Sequence, residues 1–95
     1  MTHYYFSYDK SDDVLWAFSD SEIRGKLHKY SNNNDIWVRD DRGTVTCMSA
    51  LRWSEHAKRD LDVFLALIAG GLDMKMGVLF DRLKLLRLIP DDTNQ

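Results

Sequence analysis

Asp73-Met74-Lys75-Met76-Gly77-Val78-Leu79-Phe80-Asp81-Arg82-Leu83-Lys84-Leu85-Leu86-Arg87-Leu88-Ile89, stopped by Pro90, carries the clearest helical periodicity in the chain. At about 100° per residue, Met76, Leu79, Phe80, Leu83 and Leu86 share one arc, the spacing of a core stripe. Met74, Val78, Leu85, Leu88 and Ile89 share a second arc on the opposite side. Asp73 and Lys84 mark one seam between them, Lys75 and Arg82 the other. One core needs one apolar stripe. The second arc is therefore the expected partner-binding surface, for another protein or for a homodimer through this C-terminal helix. Gly70-Gly71 suits a helix end just before the stretch, and Asp73, Lys84 and Arg87 complement the dipole of the helix that follows.

The preceding helix is predicted over Glu55–Ala69, with Ser54 as its N-cap. Its half from Val63 to Ala69 is apolar all round, which predicts deep burial and partial cover for the second arc. Leu85, Leu88 and Ile89 lie farthest from that cover. The pair 61–82 also has helix-turn-helix spacing through Ala66, Gly70, Met76 and Leu79. Lys75 and Arg82 are then the candidate phosphate contacts. Asp73, Met74, Gly77 and Val78 cannot make the bidentate base contacts of Arg, Asn or Gln, so nucleic acid is the weaker expectation.

Toward the N-terminus the period changes. His3–Tyr8 and Val14–Phe18 alternate like strands around a polar turn, and predict a hairpin. Ser19 and Glu22 form a capping box with Phe18 and Ile23 as its hydrophobic staple, which predicts a helix from Asp20 toward Tyr30. Gly25 only weakens that helix, by about 1 kcal/mol relative to Ala. Ile36–Arg39 and Thr44–Met48 predict a second hairpin around Asp40-Asp41-Arg42-Gly43. The expectation is a single α+β domain over residues 1–95, of order β-β-α-β-β-α-α, with antiparallel hairpins packed against helices and a polar tail at 90–95.

The 95 residues carry a formal net charge of −2, which argues against holding nucleic acid by bulk electrostatics. The single Cys47 excludes an internal disulfide and fits a cytoplasmic location. No signal-peptide pattern opens the sequence, and no apolar run is long enough to span a membrane. His3, His28 and His56 have no metal-ligand spacing, and Asp9, Asp12 and Asp13 do not follow the calcium-loop pattern. Neither a metal nor a cofactor is expected. Ser54-Glu55-His56 is adjacent in sequence, but catalytic partners are set in space. Arg24, Lys26, His28 and Lys29 scatter around a helical wheel and read as a solvated face.

Eleven aromatic residues remain to be placed. Tyr4, Phe6, Tyr8, Trp16 and Phe18 are expected to pack the sheet on the helices, leaving Tyr5 and Trp37 on the other face. Exposed sheet aromatics stack bases or anchor proteins, and the scarcity of interleaved cations favours protein. The function expected is a small non-enzymatic regulator or inhibitor that binds a protein, of the kind bacteria and phages use as accessory factors against host enzyme complexes. The alternative is a small DNA-binding transcriptional regulator.

Overall fold

The hairpin predicted around Asp40–Gly43 forms the middle of a five-stranded sheet. Arg42 and Gly43 both take positive φ (56° and 85°), the primed-turn geometry whose twist matches that of its strands. Gly43 also donates its N–H to Asp40 Oδ1 at 2.7 Å. In the computed structural model, which describes residues 3–19, 25–30 and 33–89, the strands are β1 (Tyr4–Asp9), β2 (Val14–Ser19), β3 (Lys26–Tyr30), β4 (Asn33–Asp41) and β5 (Thr44–Leu51). They lie antiparallel in the order β1-β2-β5-β4-β3. Three helices follow: α1 (Trp53–Arg59), α2 (Leu61–Leu72) and α3 (Met76–Leu85). The protein is thus a small α+β domain with a single sheet.

Residues 20–24, where the capped helix was to start, lie outside the described residues. Ser19, its expected cap, is the buried last residue of β2, and Lys26–Tyr30 is strand rather than helix. Gly25 explains the change. Its φ is +102°, and a Cβ there would lie 2.2 Å from the Asp40 carbonyl oxygen. The chain passes against β4 in a conformation no helix contains, and Lys26–Tyr30 then satisfies the open edge of β4. Of the basic residues assigned to a helical face, Lys26, His28 and Lys29 therefore line an edge strand, where lysines discourage pairing with further chains, and Arg24 lies outside the described residues.

Register decides the faces. Asp9 pairs with Val14 across a four-residue turn, so even positions of β1 oppose odd positions of β2. One face consists of Phe6–Ala17–Met48–Val38–His28 and, beside it, Tyr8–Leu15–Ala50–Ile36. Leu15, Ala17, Ile36, Val38, Met48 and Ala50 share one core with Phe64, Leu65, Ile68, Leu79 and Leu83 of the helices. Each fully buried leucine contributes about 1.5–3 kcal/mol.

The helices are shorter than expected. Glu55–Ala69 is not one helix, because Asp60 (φ −141°, ψ 49°) breaks it between α1 and α2. Arg52, in the left-handed region, precedes α1, while Ser54 lies inside it and bonds elsewhere. Gly70 and Gly71 sit within α2, which ends at left-handed Asp73. A Cβ on Gly71 would stand 2.8 Å from Met48 Cε, so this glycine admits the helix to the sheet rather than capping it. Val63, expected to be buried, is exposed.

The last helix ends four residues before Ile89. Arg87 takes φ 58°, Leu88 donates its N–H to Leu83 O at 2.8 Å, and Arg87 donates to Lys84 O at 3.0 Å. These bonds make a Schellman turn without glycine. The turn brings the Leu88 carbonyl to Trp53 Nε1 (2.6 Å), and Leu88 and Ile89 pack against the core. Among the described residues, no single helix is long and apolar enough to cross a membrane.

Candidate functional site

The same parity that buries one face of the sheet leaves the other uncovered by the helices. Its rows run Tyr5–Phe18–Cys47–Arg39–Leu27 and Ser7–Trp16–Ser49–Trp37–Lys29. Trp16 and Phe18 therefore face away from the helices, contrary to the expectation that they pack with Tyr4, Phe6 and Tyr8. Tyr5, Trp16 (39% exposed) and Leu27 (54%) are open to solvent. Tyr5 and Phe18 pair across strands with ring centroids 5.8 Å apart.

In both rows a small residue of β5 lies between larger ones on the neighbouring strands. Cys47 and Ser49 form a floor on central β5, and Trp16, Leu27, Trp37, Arg39 and Leu51 stand around it. Together they enclose a hollow of about 300 Å³. A neighbouring hollow shares Trp16, Arg39 and Cys47 and extends to Ser7 and Phe18. Trp37 is braced by its Nε1–H bond to Asn34 O (3.0 Å). Burial pushes the Cys47 thiol up, against the opposing pull of the Arg39 charge and the Met48 amide, so it stays protonated at neutral pH. A buried neutral thiol packs like a small apolar group.

The expected binding residues of the C-terminal stretch are divided by the fold. Met74, Leu88 and Ile89 are half-buried and pack against the core, while Val78 and Leu85 (83% exposed) face solvent. Met76 and Leu86, expected in the core stripe, are partly exposed, so Leu79 and Leu83 carry the buried side of α3. Of the candidate phosphate contacts, Lys75 is exposed, and Arg82 donates to the Tyr4 carbonyl at 3.3 Å, tying α3 to β1. The chain bends by 108° between α2 and α3 across a three-residue turn, within the helix-turn-helix range.

Two polar clusters sit where α1 meets the sheet. Asp13 accepts from Tyr8 Oη (2.6 Å), Ser54 Oγ (2.6 Å) and Ser54 N (3.0 Å). Burial pushes its pKa up, but the Ser54 and Tyr8 bonds outweigh burial and hold the carboxyl below its ordinary range. The bond to Asp13 in turn pushes Tyr8 up to about 12. His56, buried and stacked on Phe64, meets Asp60 through Nδ1 (2.9 Å) and Asp35 through Nε2 (2.7 Å). Both ring nitrogens face carboxylate oxygens, which only accept. Ser54 and His56 thus address different carboxylates, and neither borders the sheet hollow. Among the described residues, no group of three or more His, Cys, Asp or Glu is placed to hold a metal ion.

No protein-family model matches the chain, and no curated protein or solved structure matches it. Tyr5 and Trp37 lie on the face expected for them, but Trp16 and Phe18 share it, against an expectation that groups them by type with Tyr4 and Phe6. Their parity follows from a turn of four residues, which requires Asp9 to be the last residue of β1, one beyond the strand read from the sequence.

Proposed function

We propose that this protein is a non-enzymatic regulator or inhibitor that docks on another protein through the open face of its sheet. The observation that carries the reading is a sheet face left uncovered by the helices, on which Trp16, Trp37, Leu27 and Leu51 surround a shallow hollow with Tyr5 and Phe18 beside it. Contiguous exposed apolar surface of this kind marks interaction sites, and rigid aromatic side chains make the strongest anchors. The polar clusters support no competing chemistry. Their donors and carboxylates satisfy one another and join α1 to the sheet.

Affinity capture with paired variants tests the proposal. Trp16→Lys with Leu27→Lys is expected to abolish capture of the partner while leaving the circular dichroism of the fold unchanged. Val78→Asp with Leu85→Asp, on the solvent side of α3, is expected to leave capture intact. The opposite pattern moves the docking surface to α3 and ends the sheet-face reading.

A second reading rests on the 108° bend between α2 and α3, which suits a DNA-binding hairpin. It predicts duplex binding that weakens steeply with salt and falls on Lys75→Ala. Absence of duplex binding at low salt removes it.

A further inference from the structure

We infer that the sheet hollow selects a protein segment carrying one carboxylate beside a large apolar side chain, and that Arg39 is the residue that reads the carboxylate. The inference rests on the docking reading above and adds the chemistry of the partner.

Arg39 stands in the apolar face, between Cys47 and Leu27 across the strands and two residues from Trp37 along β4. It lines both hollows. Its guanidinium has one long contact, Nη1 to the Gly25 carbonyl at 3.4 Å. Among the described residues, no carboxylate lies within ion-pair distance of it and no aromatic ring holds it. Most of its donors therefore have no partner among the described residues.

An apolar partner closing over this face strips water away. An unpaired charge left behind without its water is strongly unfavourable, so the occupant must supply an acceptor. A carboxylate matches the planar fork with two parallel bonds. Trp16 and Trp37 flank Ser49 from the strands on either side, roughly 10 Å apart at the backbone, which leaves room for one large side chain between them. Arg39 is two residues from Trp37, about 7 Å along the strand. An extended segment spaces side chains i and i+2 by the same distance, so the fitting element is a large apolar residue with Asp or Glu two positions away.

Charge decides against the other occupants. A second copy stacked sheet on sheet brings two Arg39 side chains into one apolar interface. The strand carboxylates nearby are already engaged, Asp35 by His56 and Arg52 and Asp40 by Gly43 N. A single-stranded nucleic acid offers bases to the tryptophans, but tracking its backbone requires a run of cations. These rows provide Lys29 besides Arg39, on a chain of net charge −2.

The test uses the intact protein and three matched arrays of extended peptides. Each peptide has Leu, Phe or Trp at one position and, two residues on, Glu, Gln or Lys. Glu peptides are expected to bind, with Gln peptides about tenfold or more weaker. Arg39→Glu is expected to reverse the preference toward Lys peptides, Arg39→Gln to erase it, and Trp16→Lys to remove binding to every array. Equal binding of Glu and Gln peptides that still depends on Trp16 overturns the carboxylate inference and leaves the docking reading standing. No binding to any array overturns the inference, and the docking reading then stands or falls on the paired-variant capture. A dimer in solution that Trp16→Lys dissociates makes a second copy the occupant. Trp16-dependent binding of a 12-residue oligothymidylate, tighter than that of any peptide, makes it nucleic acid. Either result overturns the inference.

Discussion

Replacing each of the two adjacent glycines of α2 with alanine separates a helix cap from a packing contact. Gly70 and Gly71 both lie inside the helix, and Asp73 is the residue that adopts the left-handed conformation. At Gly70 an added Cβ meets only Tyr30 Oη, at 3.5 Å, an ordinary contact. Gly70→Ala therefore keeps most of the helix-propensity gain, about 0.5–1 kcal/mol. At Gly71 the same methyl stands 2.8 Å from Met48 Cε and 3.1 Å from Met48 Sδ. Met48 is buried under the helices at 2% exposure, so its end cannot swing to solvent. Overpacking of that kind costs about 1–3 kcal/mol, which exceeds the propensity gain. The net expectation is stabilisation for Gly70→Ala and a loss of about 1 kcal/mol for Gly71→Ala. On a chain of this size each kcal/mol moves the melting temperature by about 4–8 °C. Thermal melts and urea titrations followed at 222 nm read the difference directly. If Gly71→Ala is as stable as Gly70→Ala, the close approach of α2 to β5 is wrong. If both lose stability equally, the glycines are caps after all.

The Tyr8–Asp13 bond predicts a pH dependence at both ends of the scale. A tyrosine raised from 10.0 to about 12 in the folded state contributes stability that is full below pH 10 and disappears as pH rises toward 12. Urea titrations of the native protein should show that alkaline decline more steeply than those of Tyr8→Phe. The lowered Asp13 acts in the opposite sense, with stability present above the ordinary carboxylate range and lost as pH falls through its folded value. Asp13→Asn should flatten the acid limb, and an unchanged limb would show that the Ser54 and Tyr8 bonds do not hold the turn to α1. His56→Ala removes the group between Asp35 and Asp60, and is expected to cost about 1.5–3 kcal/mol in urea unfolding, because both carboxylates lose a hydrogen-bond partner while staying partly exposed and Asp35 keeps Arg52 at 3.9 Å. Trp53→Phe keeps the buried ring but drops the Nε1 bond to Leu88 O, at a cost of about 1 kcal/mol, with faster amide hydrogen exchange at Leu88 if that bond anchors the final turn.

Local chemistry alone determined the two hairpins, the α+β class and a helical C-terminal half. Alternation with period two, the turn residues between Asp9 and Val14, and the apolar spacing of α3 act within a few residues of one another. Tertiary structure decided the rest, because the deciding contacts are remote in sequence. The edge of β4 and the Asp40 carbonyl against Gly25 made a strand of Lys26–Tyr30, where Ser19 and Glu22 suggested a helix. Two exceptions are local: Asp60 and Arg87 broke predicted helices without glycine or proline, Asp60 beside its contact with His56 and Arg87 in a turn whose amides bond to Lys84 O and Leu83 O. The turn that seats Leu88 and Ile89 on the core took them from the second apolar arc, leaving Val78 and Leu85 outside. The open aromatic face needed both kinds of information. Sequence supplied Trp16, Phe18 and Trp37 on alternating strands, but only the pairing across β5 put them around Ser49 with Arg39 beside them. A strand has two faces one residue apart, so cross-strand register, and not the residues themselves, determines which of its aromatics meet the core and which remain free for a partner.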